Sequence, residues 1–241
     1  MKSLNNTKKR DVFVSYVPHG INSNVYQKTD VPKEFRERIL GKKKWKFVLF
    51  WMNRNIRRKQ PSDVIWGFKL FVDSLPKKDR EDVCLLMHTQ PIDKNGTDLK
   101  AVAEQIAPDC NIIFSDKRIQ NFELSYLYNL GDVTINIAGN EGFGLGTAES
   151  VMTETPIIIN VTGGLQDQCG FQRKVGDKWV EFTADDYIEI ESLHSKEKWE
   201  TEVRWGSWVK PIWSASQTII GSVPTPYIID DKVNVYDIAD A

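Results

Sequence analysis

Continuously apolar runs alternate with amphipathic stretches along the chain from about residue 45. The apolar runs are rich in β-branched and aromatic residues and are predicted to be strands, at 45–51, 83–88, 111–114, 132–138 and 156–161. The amphipathic stretches repeat their apolar residues at helical spacing and are predicted to be helices, at 32–40, 62–75, 98–106, 121–130 and from about Thr147. Apolar strands that alternate with helices predict an α/β fold in which helices cover both faces of a parallel sheet.

Two of the predicted helices carry recognisable end signals. Ser62 is placed to cap the helix over 62–75, and Pro76 ends that helix. Gly131 directly follows the helix over 121–130 and is expected to serve as its C-terminal glycine.

The strand and helix alternation stops after about residue 170. The stretch that follows contains five of the eight tryptophans, Trp179, Trp199, Trp205, Trp208 and Trp213. We therefore predict a main domain over 1–170, with 1–30 leading into it, and an irregular Trp-rich extension over 171–241 packed on the same domain. Indole faces suit stacking on sugar rings, but filling of irregular packing over the sheet is the favoured role.

Composition narrows the class of protein. The 32 Lys and Arg nearly balance the 33 Asp and Glu, so no overall field favours binding to nucleic acid. Cys84, Cys110 and Cys169 lack metal-ligand spacing and indicate reduced thiols in a cytoplasmic protein. No apolar run has the length of a signal peptide or a membrane span. The lysines at 42–44 predict a solvated turn, or together with the basic residues 8–10 a peripheral membrane contact.

The loop NEGFGLGTAES, at 140–150, joins a predicted strand to a predicted helix. Gly142, Gly144 and Gly146 allow backbone amides to approach a ligand, and the N-terminus of the helix points into the same space. This arrangement suits a phosphate group. The alternative is a glycine-rich turn required only by packing.

Glu141 and Glu149 stand near the two ends of this loop. A carboxylate aimed at a diphosphate would be repelled, so both glutamates are better suited to hydroxyl groups on either side of it. Hydroxyls on both sides of a diphosphate describe a nucleotide sugar, with the ribose on one side and the transferred sugar on the other. The alternative is that Glu149 interacts only with the helix dipole and that Glu141 is merely exposed.

A basic cluster follows the first predicted strand and consists of Arg54, Arg57, Arg58 and Lys59. Such cations could neutralise a diphosphate leaving group, although a solvated basic turn is the alternative. The sequence has no Asp-x-Asp pair to hold a divalent metal against a diphosphate. Fixed cations would therefore take the place of magnesium, and we expect neither a metal site nor a cofactor. Because ligands of parallel sheets bind at the carboxyl ends of the strands, these loops are expected to converge on one edge.

These segments resemble the C-terminal, donor-binding domain of GT-B glycosyltransferases, specifically the retaining glycosyltransferase family four (glycosyl transferases group 1). The resemblance rests on Glu141 and Glu149, separated by seven residues in EGFGLGTAE, and on the flanking segments GDVTINIAGN and TETPIIINVTGG. It also rests on NRNIRRKQP, which places Lys59 five positions after Arg54. The segment YVPHGINSNVY resembles the family's approach to this domain, and the match runs over about 14–170.

The resemblance implies a Rossmann-like sheet that forms a single GT-B half, and it implies roles for particular residues. Arg54 and Lys59 would clamp the diphosphate, Glu141 would bind hydroxyls of the donor sugar, and Glu149 would bind the ribose. The other implied donor-binding residues are Gly142, Phe143, Gly144 and Leu145 through their backbone amides, Ile119 through its backbone at the base, and Gly163 and Gly164 in the glycine turn.

The resemblance further implies transfer of a sugar from a nucleotide diphosphate with retention of anomeric configuration and without an essential metal. The leaving diphosphate would help to deprotonate the acceptor. His19 lacks an evident carboxylate partner in the sequence and is interpreted as a turn residue rather than a base.

The family's acceptor-binding N-terminal domain is absent from this sequence. We therefore expect a donor half completed by an acceptor domain from the same gene or in trans, and the chain alone could lack turnover. Two alternatives stay open: a module that binds a nucleotide sugar without transferring it, and a scaffold in which the glycine loop serves packing.

Overall fold

The structure, a computed structural model, describes Val17 and residues 19–183, 185–187 and 202–241. Residues 1–16 and 18, which belong to the segment that leads into the main domain, therefore lie outside the described residues. Trp199 and the basic residues 8–10 lie outside them as well.

Eleven strands and seven helices are assigned in the described part of the chain. The strands are β1 (Phe47–Met52), β2 (Val83–His88), β3 (Ile112–Ser115), β4 (Val133–Asn136), β5 (Ile157–Asn160), β6 (Gln172–Val175), β7 (Lys178–Glu181), β8 (Val203–Arg204), β9 (Val209–Ile212), β10 (Ser216–Ser222) and β11 (Thr225–Lys232). The helices are α1 (Lys33–Leu40), α2 (Pro61–Ser74), α3 (Lys77–Arg80), α4 (Leu99–Ile106), α5 (Asn121–Leu130), α6 (Leu145–Met152) and α7 (Val235–Asp240), with 3-10 helices at Arg57–Lys59 and Gly163–Gln168.

The central sheet has six parallel strands in the order β3-β2-β1-β4-β5-β9. Along β1 the side chains alternate between two cores: Leu49 and Trp51 pack in the same core as α2, whereas Val48 and Phe50 pack in the same core as α5. Because both faces are buried, the strand is apolar at every one of these positions. The predicted parallel sheet with helices on both faces is confirmed.

Two helix ends differ from the sequence-based prediction. The residue before α2 is Gln60 rather than Ser62, and Pro61 occupies the first helical position. Gln60 has a φ of 50° and its side-chain amide donates to the carbonyls of Ile137 and Asp231, each at 2.9 Å. The turn is thus fixed by bonds to distant backbone groups that the local sequence does not reveal.

Gly131 follows α5 as predicted, but its φ of −78° is not left-handed. A Cβ on Gly131 would lie 2.8 Å from the Cβ of Phe50. Glycine therefore suits this position because the chain passes close to β1.

The chain after about residue 170 is less irregular than predicted. β6, β7 and β8 form a small antiparallel sheet, β10 and β11 form a hairpin, and β9 pairs with β5 as an edge strand of the central sheet. β9 has only four residues and contains Lys210 and Pro211, so the sequence shows no apolar run there. The strand can form because proline is tolerated at the edge of a sheet. The part of the chain assigned to the extension therefore supplies one strand of the central sheet.

The described tryptophans of this part make packing contacts. Trp213 stacks on Phe171 with ring centroids 5.6 Å apart, and the guanidinium of Arg204 lies 4.7 Å from the ring centre of Trp179. Trp205 is half-buried and packs against the core beside β5. None of the helices in the described ranges combines the length and the apolar character needed to cross a bilayer.

Candidate functional site

A pocket of about 450 Å³ lies at the carboxyl ends of β1 and β4. The residues that line it come from the ends of these strands, from the 3-10 helix after β1 and from the glycine loop before α6. They are His19, Asn53, Lys59, Asn136, Glu141, Gly142, Phe143, Gly144, Leu145 and Gly146. The predicted convergence of loops at this edge of the sheet therefore produces a cavity large enough for a small ligand.

A pair of cations holds Glu141 at the wall of this pocket. Lys59 Nζ donates to Glu141 Oε2, and Arg58 Nη1 lies 3.2 Å from the same oxygen and 2.8 Å from the carbonyl of Asn140. The side chains of Lys59 and Glu141 are only 9% and 14% exposed. Burial raises the pKa of Glu141, but the two cations outweigh burial and leave that pKa below its usual value.

Burial also acts on Lys59, where it lowers the pKa of the ammonium group against the opposing effect of Glu141. Both contacts of the carboxylate involve Oε2, so Oε1 of Glu141 has no hydrogen-bond partner among the residues that the structure describes. Glu141 is therefore an oriented anion with one free oxygen.

Glu149 lies in a different environment, although it is on the helix that the loop opens. The buried Tyr128 hydroxyl donates to Glu149 Oε2 at 2.7 Å, and the phenol of Tyr26 interacts with the same carboxylate. Burial raises the pKa of Glu149, and the two phenols offset that effect only in part. Glu149 is not among the residues that line the pocket, whereas Glu141 is one of them.

The side chain of Arg54 pairs with an aspartate that does not line the pocket. Its Nε and Nη2 donate to the two carboxylate oxygens of Asp93 at 2.9 and 3.4 Å, and its side chain is 61% exposed. The guanidinium lowers the pKa of Asp93. Sequence reasoning paired Arg54 with Lys59, whereas the structure pairs Lys59 with Glu141 and brings Arg58 to the same acid.

The backbone amides of the glycine loop, whose residues line the pocket, have no partner among the residues that the structure describes. No acceptor within the described parts of the chain bonds to the backbone N–H groups of residues 142–146. Gly144, with a φ of 86°, precedes α6, and its carbonyl accepts from the amides of Thr147 and Ala148, each at 3.1 Å. The helix therefore begins at Leu145, before the predicted Thr147, and its N-terminus lies at the pocket. Such a cluster of free amides at a helix N-terminus favours an anion.

Gly163 and Gly164, predicted to bind the donor, lie behind the loop and outside the pocket lining. The amide of Gly164 donates to the carbonyl of Glu141 at 2.8 Å. A Cβ on Gly164 would lie 2.2 Å from the carbonyl oxygen of Gly142, and one on Gly163 would lie 2.4 Å from that of Glu141. In this structure the two glycines allow the turn after β5 to support the loop at close range.

Ile119 lines a separate cavity of about 250 Å³ after β3, together with Ser115 and Arg118. Arg38 and Glu123 close one side of this cavity and are 2.5 Å apart. Ile119, predicted to contact the base, therefore lines this second cavity and not the pocket beside α6.

Sequence reasoning missed Asn53 and Asn136, both of which line the pocket beside α6. Their signal was available, because each is a polar residue at the carboxyl end of an apolar strand. The ring of His19 lies on Phe143 with centroids 5.0 Å apart, so the turn residue contacts the glycine loop. Over the described residues, no group of three or more His, Cys, Asp and Glu side chains is arranged to hold a metal ion.

A scan against protein-family models and a search of curated proteins found no match to this sequence. Solved structures are similar in fold. Sucrose-phosphate synthase from Thermosynechococcus elongatus has a TM-score of 0.51 and 19% identity, over 63% of this chain and 36% of that chain. Trehalose-6-phosphate synthase, OtsA, has a TM-score of 0.51 and 12% identity, over 63% and 37%.

A third structure, described as trehalose-6-phosphate from E. coli bound with UDP-2-fluoro glucose, has a TM-score of 0.50 and 11% identity, over 62% of this chain and 37% of that chain. The aligned part of the chain thus spans little more than a third of each of these three proteins. At these identities the likeness defines the fold, which is the Rossmann-like fold of one half of a GT-B glycosyltransferase, as the sequence predicted.

Proposed function

We propose that this chain is the donor domain of a glycosyltransferase and binds a nucleotide-diphosphate sugar in the pocket beside α6. The observation that carries the proposal is the row of free amides at residues 142–146, next to an acid, Glu141, that Lys59 and Arg58 hold in place. Amides and cations suit the diphosphate, and the free oxygen of Glu141 suits a sugar hydroxyl. The structural neighbour with UDP-2-fluoro glucose supports this class of ligand.

The roles follow from the arrangement of charges. The amides of Gly142, Phe143, Gly144 and Leu145, together with Lys59, would bind the diphosphate and stabilise the charge that develops as the donor bond breaks. Lys59 and the backbone amides would then neutralise the diphosphate in place of a divalent metal ion.

Two residues would need to adjust for their proposed roles. Arg54 would have to exchange Asp93 for a phosphate oxygen. Glu149 would bind the ribose only if a carboxylate oxygen turned from the phenols of Tyr26 and Tyr128. Of the three basic or acidic groups proposed to act in catalysis, Glu141 and Lys59 are already at the pocket.

We further propose retention of anomeric configuration. The bond from the anomeric carbon to the diphosphate would break, the acceptor hydroxyl would attack from the same face, and its proton would pass to the leaving diphosphate. An acceptor domain, in the same gene or in trans, would complete the active site. A cytoplasmic location fits the free cysteines, since Cys84 and Cys169 are buried and unpaired.

Calorimetric titration with UDP, GDP and ADP sugars tests this proposal. Wild-type protein should bind at least one of them, and Glu141→Ala or Arg54→Ala should weaken that binding about tenfold or more, as expected for loss of a charged hydrogen bond. Arg173→Ala is a matched control for Arg54, because Arg173 also pairs with an aspartate, Asp186, at 2.8 Å and does not line the pocket. Absence of binding by the wild type would contradict the proposal.

Turnover separates the transferase from a binding module. Wild-type protein mixed with a separately produced acceptor domain should release nucleoside diphosphate, and Glu141→Ala should not. Donor binding without release under these conditions would favour the sensor.

A further inference from the structure

Gln168 is the last residue of the 3-10 helix at Gly163–Gln168 and contacts the glycine loop from the side of β5. Its side-chain amide Nε2 donates to the carbonyl of Phe143 at 2.5 Å and to the carbonyl of Gly144 at 3.1 Å. One side chain therefore binds two consecutive peptide groups of the loop that lines the pocket.

These two bonds orient the amides that follow. The C=O and N–H of a trans peptide group point in opposite directions, so a carbonyl held toward Gln168 directs the next N–H away from it. The carbonyl of Phe143 thereby sets the N–H of Gly144. At the carbonyl of Gly144, Gln168 adds to the bonds from Thr147 and Ala148 that hold this peptide group and so set the N–H of Leu145. Both of these N–H groups are without an acceptor in the described structure and belong to residues that line the pocket.

Gln168 is itself held in place. Its backbone carbonyl accepts from Trp208 Nε1 at 3.1 Å, and the Trp208 ring is so close to Gly170 and Gly206 that a Cβ on either would lie within 2.9 Å of it. Gln168 Oε1 is buried without a hydrogen-bond partner in the described structure. The side chain is therefore engaged with the loop through its donor end alone.

We propose that Gln168 is a positioning residue for diphosphate binding, which it serves by orienting the Gly144 and Leu145 amides toward the anion. This inference rests on the proposed function, since the anion it concerns is the diphosphate of the donor. The close approach of Gln168 to the loop also depends on glycine at position 144, because a Cβ there would lie 2.5 Å from Leu165 Cδ2 and 3.2 Å from Gln168 Nε2.

The test compares ligands that differ only in their phosphates. Calorimetry would measure uridine with UDP, adenosine with ADP, guanosine with GDP, and inorganic pyrophosphate alone. Gln168→Met keeps the length and volume of the side chain without the donor, and Gln168→Glu places a carboxylate against the two carbonyls. Gln105→Met and Gln105→Glu make the same changes at an exposed position of α4.

Affinity for the nucleoside diphosphate and for pyrophosphate should fall about tenfold or more in both Gln168 variants. Affinity for the matching nucleoside should change by less than about twofold, and the Gln105 variants should behave as wild type. If one Gln168 variant fails to fold, the other still supports or contradicts the inference, because both remove the donated bonds.

The outcomes separate the two proposals. Wild-type binding of a nucleoside diphosphate that the Gln168 variants reproduce would overturn the inference and leave the proposed function intact. Equal weakening of nucleoside and diphosphate would overturn it too, because it would show a general structural role. Pyrophosphate binding that depends on Gln168, without any nucleotide binding, would support the inference and contradict the donor function. A wild type that binds none of the probes would overturn both.

Discussion

Glu141 and Glu149 belong to one loop-and-helix motif, but the pKa of Glu141 is lowered and the pKa of Glu149 is raised. Burial raises the pKa of both carboxyls. Lys59 and Arg58 outweigh burial at Glu141, whereas Tyr26 and Tyr128 supply only neutral donors at Glu149. Full charges stabilise a carboxylate more than neutral hydrogen bonds do, so the two acids should affect stability with opposite dependence on pH.

Glu141→Gln should lower the free energy of unfolding by roughly 1–2 kcal/mol near neutral pH, because it leaves a nearly buried Lys59 with a neutral partner. The folded pKa of Glu141 is below the ordinary 4.5. The stabilisation is therefore complete above that value and is lost as the pH falls through the folded pKa. Chemical denaturation of the wild type and the variant across acidic and neutral pH measures the difference, which should shrink on acidification. A difference that is constant with pH would contradict an ionised pair.

Glu149→Gln should show the reverse trend. The folded pKa of Glu149 is above 4.5, so the wild type gains stability from proton binding at low pH and loses it as the pH rises through the folded pKa. The variant does not titrate there, and its stability relative to wild type should increase from about pH 4 to about pH 8. Thermal melts at several pH values provide the measurement, with Glu104→Gln on the exposed face of α4 as the control. A relative stability that decreases with rising pH would show that Glu149 is stabilised as an anion.

The types of residue at the site were predictable from sequence, but their pairing was not. Cations after β1 and acids around the glycine loop follow from strand order and local composition. That Arg58 meets Glu141 while Arg54 meets Asp93 depends on where the loop after β2 lies. The buried Asn55 shapes this loop through bonds to the carbonyls of Pro91 and Thr97 at 2.9 and 2.7 Å. Such a long-range contact has no periodic signal in the chain.

At the scale of elements, the glycines of the loop and of the turn after β5 have different functions. A Cβ on Gly142 would meet no atom within 4 Å, whereas one on Gly164 would lie 2.2 Å from the carbonyl oxygen of Gly142. Gly142 therefore leaves room for a ligand, and Gly164 leaves room for the backbone of the neighbouring element.

Gly142→Ala should change the free energy of unfolding by less than about 0.5 kcal/mol and still weaken nucleoside diphosphate binding, because its methyl group projects into the open pocket. Gly164→Ala should destabilise the fold by roughly 2 kcal/mol or more, because the loop must move to admit a Cβ. Thermal melting and calorimetric titration of both variants measure the two effects. The same loss of stability in both would contradict this division of roles.

Strands β1–β5 and helices α1, α2, α4 and α5 were predicted to within about two residues, whereas the short helix α3 was not predicted. The strands were recognisable because those buried on both faces are apolar along their length. The prediction failed where a different principle decided the structure. α6 begins at Leu145 because Gly144 adopts a left-handed conformation and caps it, and β9 forms through pairing with β5 despite Lys210 and Pro211. An edge strand needs backbone partners more than an apolar sequence.

At the scale of the whole molecule, the residues after 170 complete the fold. β9 pairs with β5 along its full length, and its Val209 and Ile212 are buried. α7 packs against α2, where Ile238 fills the space above Gly67, whose Cβ would lie 2.3 Å from Ile238 Cγ2. Removal of this part would expose the edge of β5 and one side of α2 together.

Residues 1–170 produced alone should therefore lack a cooperative thermal transition and should aggregate, since an uncovered apolar strand edge pairs readily with other chains. Differential scanning calorimetry and light scattering, with the full chain as reference, test this expectation. Ile238→Ala in the full chain should disturb the same contact less than the truncation does. It should lower the free energy of unfolding by about 2–4 kcal/mol through loss of a buried aliphatic side chain, while a single transition remains. Because β9 and α7 pack on elements that also position the loops of the pocket, the full chain is expected to unfold as one unit. A fragment 1–170 that melts cooperatively near the temperature of the full chain would show instead that the domain is complete without residues 171–241.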